Sequence, residues 1–112
     1  MTDEEVINKA IELLRAGWTK FNSHKVIRTG WIFKKEHHSY CATGALNAAV
    51  RDGEKYKTWI QQKQYNHLEN LLNFKLKESF GSSRWHNIQD YNDSAADVED
   101  VITIFEKVRA DL

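Results

Sequence analysis

Apolar residues at helical spacing run through most of this chain, and this spacing constrains its fold more than any other feature. Between residues 98 and 108 the spacing of three and four predicts a helix with one buried face. Its apolar residues are Val98, Val101, Ile102, Phe105 and Val108. Asp93 or Ser94 is the expected N-cap, and Asp97 would favour the positive end of the helix dipole.

Residues 2–16 predict a first helix. Thr2 and Glu5 have capping-box spacing, and five apolar residues share one face of the segment. These are Val6, Ile7, Ala10, Leu13 and Leu14. Gly17 is placed to end the helix in the left-handed conformation.

A second helix is expected from near Ser39 to Arg51, with Asp52-Gly53 as its stop. Its small residues Ala42, Gly44, Ala45, Ala48 and Ala49 favour a central helix that another backbone approaches closely. Residues 54–80 predict a third helix or a broken pair. Tyr56, Trp59 and Ile60 fit helical periodicity, as do several later leucines, but a polar gap at residues 61–64 separates the two groups.

Residues 18–38 lack a helical period. Val26-Ile27 and Trp31-Ile32-Phe33 flank Arg28-Thr29-Gly30, a pattern that predicts a short two-stranded ribbon. The predicted fold class is therefore mainly α: one compact helical domain over residues 1–112, with four to five helices and a short β-hairpin between the first two.

Composition excludes several classes of protein. The 112 residues are 41% hydrophobic and include four Trp, which excludes a disordered chain. A single cysteine excludes an intrachain disulfide and a cysteine-based zinc site. The acidic start is unlike a signal peptide, and no apolar run approaches the roughly 18 residues of a membrane span. These features predict a soluble cytoplasmic protein without membrane contact.

Cys41 is the strongest candidate for catalysis. It would lie in the first turn of a helix, where free N–H groups lower a thiol pKa. His86 follows as a candidate base, with Asp90 or Asn92 to orient it, in the chain order of a cysteine-dependent hydrolase or transferase. The competing interpretation is a buried cysteine among alanines, which the helical pattern after Cys41 favours.

The five histidines do not have the spacing of metal ligands. His37 and His38 are adjacent, so their side chains diverge in most backbones, and the remaining three are scattered at His24, His67 and His86. A metal site assembled from His37 or His38 with His86 and Asp90 is the alternative interpretation, but solvated loop histidines are favoured, and we predict neither a metal nor a cofactor.

The balanced net charge conceals an uneven distribution. Residues 17–51 carry six basic side chains and one acidic one, whereas residues 84–112 carry three and seven. Helix capping explains much of the acidic excess. The basic excess has no such explanation, so we expect a binding surface for an acidic partner at Lys20, Lys25, Arg28, Trp31, Lys34 and Lys35.

Bases interleaved with aromatic residues are also typical of proteins that grip single-stranded nucleic acid. In the alternative interpretation, Phe21, Trp31 and Phe33 lie in the core and the lysines lie on the solvent-exposed face. Nucleic acid is therefore a third functional hypothesis, after protein binding and thiol chemistry.

Three patches resemble an uncharacterised family of small bacterial and phage proteins, a domain of unknown function. Its pattern has a helix ending in G-W-T, then W-C-x-x-G-A-L entering a helix, then W-N-D before a last helix. The matching residues are Gly17-Trp18-Thr19, Tyr40-Cys41, Gly44-Ala45-Leu46 and Tyr91-Asn92-Asp93. Tyr40 and Tyr91 stand where the pattern has Trp, and both keep an aromatic ring.

The resemblance implies that these residues define the fold before they define a ligand site. Gly44 and Ala45 would allow close helix packing, Trp18 would close the core, and Asn92 and Asp93 would satisfy N–H groups at the start of the last helix. The compact size, the weakness of every candidate catalytic set and the resemblance together favour the leading functional hypothesis, a small binding protein. The phage members of the family suggest its finer form, a phage-encoded inhibitor of a host defence protein in the host cytoplasm.

Overall fold

The computed structural model describes residues 1–22, 24–29, 35–81 and 85–112. Within them five helices and one hairpin follow in the order α1 (Asp3–Ala16), β1 (His24–Thr29), β2 (Lys35–Tyr40), α2 (Ala42–Arg51), α3 (Trp59–Phe80), α4 (Ile88–Ser94) and α5 (Val98–Ala110). The predicted fold class is confirmed: a mainly helical domain with an antiparallel hairpin between the first two helices.

The capping box at the start of α1 is present as predicted. The Thr2 hydroxyl accepts from the Glu5 N–H, and the Glu5 carboxylate accepts from the Thr2 N–H. Those bonds satisfy N–H groups that the first helical turn leaves free, and the bond from the Thr2 N–H to the Glu5 carboxylate is the main cause that lowers the pKa of Glu5. The far end differs from the prediction, because Gly17 has an extended backbone with φ −173°, not a left-handed one.

The core is built from the helices. Helix α1 packs against α2 and α5, and α3 packs against the same two helices from another side. The small side chains of α2 make this central position possible, since Ala42, Gly44, Ala45 and Ala49 are all buried. Larger apolar side chains fill the space around it, among them Ile7, Leu14, Leu46, Leu72 and Phe105.

The two strands pair in register from His24 opposite Tyr40 to Thr29 opposite Lys35. The second strand thus lies later in the chain than the predicted Trp31-Ile32-Phe33, a segment that falls outside the described residues. Residues 37–40 belong to this strand, so α2 begins at Ala42 and not near Ser39. Its predicted stop is confirmed, because Asp52 adopts the left-handed conformation at φ 50°.

The sequence interpretation was wrong about where the last helix begins. Asp97, not Asp93 or Ser94, is its N-cap, and its carboxylate accepts from the Glu99 N–H. Residues 92 and 93 lie in the short helix α4, which was not predicted. The polar residues 61–64 do not interrupt α3, because Thr58 and Gln61 form a second capping box and the helix runs on to Phe80.

Within the described part of the chain, no helix combines the length and apolar character needed to span a bilayer.

Candidate functional site

Asn92 is the one buried polar side chain of the described core, and it joins three parts of the chain. Its Oδ1 accepts from the Trp18 indole Nε1–H at 2.8 Å and from the Ala42 backbone N–H at 2.9 Å. Its Nδ2 donates to the Thr19 carbonyl and to Asp93 Oδ1, each at 3.2 Å. The amide thus uses two donor and two acceptor positions, its full capacity, at zero solvent exposure.

Asp93 extends this network to the surface. Its Oδ1 accepts from the Phe21 N–H at 2.9 Å and from Gln89 Nε2 at 3.1 Å. Phe21 has a positive φ of 66°, an unfavourable conformation for a side chain of its size, and the bond to Asp93 helps to hold it there. Gln89 in turn accepts from the Thr43 hydroxyl at 2.8 Å, which ties α4 to the first turn of α2.

Gly17 lets the segment after α1 lie beside strand β2. The Tyr40 N–H donates to the Gly17 carbonyl at 2.8 Å, and the Thr19 N–H donates to the Tyr40 carbonyl at 3.1 Å. A Cβ atom at Gly17 would lie 2.2 Å from the His38 carbonyl oxygen, so any side chain would force the two segments apart. The glycine is required here for close approach.

The three motif patches therefore meet around one amide. Trp18 and Thr19 come from the first patch and Asn92 and Asp93 from the third, while Ala42 follows the cysteine of the second. The expectation that Asn92 and Asp93 cap the last helix was wrong, since Asn92 satisfies the first N–H of α2. Sequence spacing could not show this, because the partners lie 50 and 74 positions away.

Cys41 is the N-cap of α2, one position before the predicted first turn. Its sulfur accepts from the Gly44 N–H at 3.4 Å and lies 3.4 Å from the Thr43 hydroxyl, and the residue has no exposed surface. A thiol in this setting can stabilise the helix start. It offers no surface at which a substrate could be attacked.

The other residues of the hypothetical catalytic set differ from one another in solvent exposure and hydrogen bonding. His86 is exposed in the bend before α4, and Asp90 is exposed on that helix. Asn92 is buried with its amide fully bonded, so it has no group left to orient an imidazole. Among the described residues, no group of three or more His, Cys, Asp or Glu side chains is arranged to hold a metal ion.

The predicted basic surface is described only in part. Lys20 lies over the Trp18 ring with its Nζ 5.4 Å from the centroid, and Lys25 is exposed on β1. Arg28 and Lys35 occupy strand positions, whereas Trp31 and Lys34 lie outside the described residues. Val26 and Ile27, on opposite faces of the ribbon, are 41% and 45% exposed, so neither face of this strand is covered by the helices.

The base of the hairpin carries a stack of three rings that sequence reasoning did not anticipate. His24 stacks on Tyr40 at a centroid distance of 4.6 Å, and His24 Nε2 lies 2.7 Å from His38 Nδ1. Partial burial in this stack, the neighbouring His38 and the Arg51 guanidinium all lower the pKa of His24. The strand register alone places His24 and His38 on one face, and this was the available signal.

A second unanticipated feature is an exposed apolar cluster at the start of α3, here called the aromatic patch: Tyr56, Trp59 and Ile60. These side chains are 75%, 69% and 64% exposed. Their helical spacing placed them with the later leucines in one periodic pattern, but only later residues of α3, such as Leu68 and Leu72, are buried in the core. Large apolar side chains clustered on a surface are typical of interaction sites.

Comparison with protein-family models matches residues 1–111 to a family described as "Family of unknown function (DUF6197)". No curated protein and no solved structure matches the chain.

We expect Asn92→Ala to destabilise the fold strongly. The substitution leaves the Trp18 indole, the Ala42 N–H and the Thr19 carbonyl without their partner, and buried unsatisfied groups cost about 1–3 kcal/mol each. Because Trp18 is only half-buried and can reach water, we expect the free energy of unfolding to fall by about 2–4 kcal/mol in urea titrations. Asn70→Ala on the exposed face of α3 is the control; equal losses in both variants would contradict the role given to Asn92.

We expect Cys41 to be protected from alkylation in the native protein. Its sulfur is buried, so iodoacetamide should react at least about a hundredfold more slowly than in urea, at a rate set by opening of the fold. Mass spectrometry over time gives both rates. Native alkylation at the rate of the unfolded chain would show an accessible thiol and revive the hydrolase hypothesis.

The lowered pKa of His24 predicts a stability that depends on pH. The unfolded chain binds a proton at the ordinary pKa of 6.5, whereas the folded chain binds it only at lower pH. The folded state is therefore penalised as the pH falls from that value towards the lower folded pKa. We expect the free energy of unfolding to decline below pH 6.5 more steeply in the wild type than in His24→Gln. His86→Gln is the control, and parallel curves for wild type and His24→Gln would refute the coupling.

Proposed function

This chain belongs to DUF6197, a family of unknown function, and we propose that it is a binding protein whose partner is another protein with an acidic surface. The aromatic patch carries this proposal. It combines the residue types that dominate binding energy in protein interfaces with an exposure that the fold itself does not explain.

Hydrogen bonds hold the backbone around the patch. Thr58, the N-cap of α3, lies between Tyr56 and Trp59, and its capping box fixes the first turn of the helix. The preceding loop is held by Arg51, whose Nη1 donates to the carbonyls of Glu54 and Lys55 at 3.4 and 3.2 Å. A preorganised patch loses little conformational entropy on binding, which favours affinity.

Two lysines give the patch its charge. Lys55 Nζ lies 5.4 Å from the centre of the Tyr56 ring, and Lys63 Nζ lies 5.1 Å from that of Trp59. Ammonium groups held over exposed rings combine apolar contact with positive charge, and their charge complements carboxylates on a partner. This argument supports an acidic protein surface as the partner.

The hairpin supports the same proposal with a second basic element. Lys25 and the flanking apolar residues Val26 and Ile27 are exposed, and a two-stranded ribbon alone is only marginally stable. An exposed strand edge offers backbone groups to a partner. Single-stranded nucleic acid is the second candidate for this element, and its affinity would fall steeply with salt.

The finer form of the proposal concerns the partner's identity. The sequence resemblance to bacterial and phage proteins supports a host defence protein as the target and inhibition in the host cytoplasm as the outcome. Thiol chemistry is not part of the proposal, because Cys41 is buried and Asn92 is fully bonded.

We expect a photo-crosslinking residue at position 59 to capture a defined protein in a lysate of the source cell. The same residue at position 74 is the matched control, since Phe74 is 65% exposed on the same helix, beyond the aromatic patch. The adduct at position 59 should disappear in Tyr56→Ala, because loss of an aromatic anchor costs about 2 kcal/mol or more of binding energy, roughly thirtyfold in affinity.

Four results would contradict the proposal: no adduct at position 59, the same adduct from both positions, an adduct with a second copy of the chain, or an adduct abolished by nuclease. The last would show that nucleic acid is the partner. Charge reversal at Lys55 and Lys63 tests whether the surface of the partner is acidic or apolar. An acidic partner should bind the charge-reversed variant more weakly than it binds Tyr56→Ala, whereas an apolar partner should not.

A further inference from the structure

An open cleft lies between α1, the end of β2 and the C-terminal end of α2. Its volume is about 250 Å³, which suits a small molecule or one side chain. Lys9 and Leu13 line it from α1, Tyr40 from the strand, and Ala48 and Arg51 from α2. The cleft thus combines apolar walls with two cationic groups.

Arg51 differs from the other arginines whose side chains the structure describes. Arg15 lies 3.4 Å from Glu99, and Arg109 lies 3.6 Å from Glu106. Within the described part of the chain Arg51 has no carboxylate partner; its Nη1 binds two carbonyls, and its buried Nε has no hydrogen-bond partner. That Nε is covered by the protein and out of reach of a ligand, whereas Nη2 makes no hydrogen bond within the described part of the chain and is not among the buried atoms, so Nη2 can donate to an acceptor supplied from outside.

The positive charge of Arg51 affects the pKa values of neighbouring basic groups. The pKa of Lys57 is lowered, first by burial and then by Arg51, and the same guanidinium contributes to the lowered pKa of His24. Glu54 is the acidic residue on the cleft lining. Its carboxylate offsets one of the two positive charges on the lining, and Glu12, 3.9 Å from Lys9, weakens the charge of that lysine. Arg51 therefore supplies most of the attraction for a singly charged anion.

We propose that this cleft is a carboxylate-binding site. The guanidinium of Arg51 receives the carboxylate, Lys9 adds a second positive charge, and the apolar body of the ligand lies against Leu13, Ala48 and the Tyr40 ring. Arginine suits this task because its planar donors match the two oxygens of a carboxylate. A dianionic phosphate fits less well, since Glu54 would repel the second charge and the apolar walls would remain empty.

The carboxylate has two available sources: a free small acid, or an Asp or Glu side chain of the proposed protein partner. The second source rests on the proposed function, because the loop that Arg51 holds leads from the cleft to Tyr56 in the aromatic patch. The cleft itself does not depend on that function, and a free probe tests it separately.

The test is a titration of the full chain with sodium benzoate, at constant ionic strength, followed by NMR. We expect saturable shifts at the Arg51 Nε–H and the Gly53 amide, together with a raised pKa of His24, since a bound anion neutralises part of the Arg51 field. Benzyl alcohol, which has the same ring without the charge, should not produce these shifts.

Substitutions separate the site from general charge effects. Arg51→Gln should raise the half-saturation concentration at least about tenfold, the effect of losing one charge-assisted hydrogen bond. Lys9→Gln, on an exposed side chain, keeps the test valid if the first variant unfolds, and should raise it about threefold. Arg109→Gln is the matched control and should leave it unchanged.

The absence of saturation, equal binding of benzyl alcohol, tighter binding of inorganic phosphate, or unchanged affinity in both cleft variants would overturn the proposal.

The crosslink at position 59 identifies the source of the carboxylate. Benzoate that blocks the crosslink points to a side chain of the partner, and benzoate that leaves it intact points to a free acid. If no protein is captured at position 59 but benzoate still binds through Arg51, the proposed function fails and the cleft stands.

Discussion

The side-chain amide of Asn92 is the interaction on which the rest of the structure depends. It lies where three segments meet that are distant in sequence: the turn after α1, the start of α2, and α4. No apolar side chain could replace it, because each segment brings a backbone or indole group that needs a partner away from water. A buried amide with all four bonds made fixes the relative position of these segments, whereas apolar packing alone would tolerate several arrangements.

This arrangement explains why the motif residues form the structural framework around Asn92, here called the frame, and not a reactive centre. Cys41 immediately precedes Ala42, whose N–H donates to Asn92, and the Cys41 thiol accepts from the Gly44 N–H as the N-cap of α2. Gly17 is required by the close approach of the His38 carbonyl, and Asp93 holds the turn at Phe21. The hairpin and the segment from Asp52 to Ile60 lie outside this frame, and they carry the aromatic patch and the exposed Lys25.

The sequence predicted the features that depend on local chemistry. The first and last helices, the Thr2 capping box and the Asp52 stop all follow from spacing or from residues a few positions apart. It did not predict α4, because seven residues are too short for a periodic stripe. Nor did it predict that Asp97, and not Asp93, is the N-cap of α5. The Asp93 carboxylate instead accepts hydrogen bonds from the Phe21 N–H and from Gln89. The sequence also did not predict that Trp59 faces solvent, because periodicity shows that residues share a face but not whether another element covers that face.

Arg51 is where the frame and the exposed surfaces meet. It ends α2, the helix whose start Asn92 fixes, and its guanidinium holds the loop that leads to the aromatic patch while also lining the cleft beside Tyr40. A ligand that engages Arg51 would therefore bind a group that already holds the Glu54 and Lys55 carbonyls of that loop. Because Arg51 also lowers the pKa of His24 at the hairpin base, the same event would alter the protonation of the second exposed element.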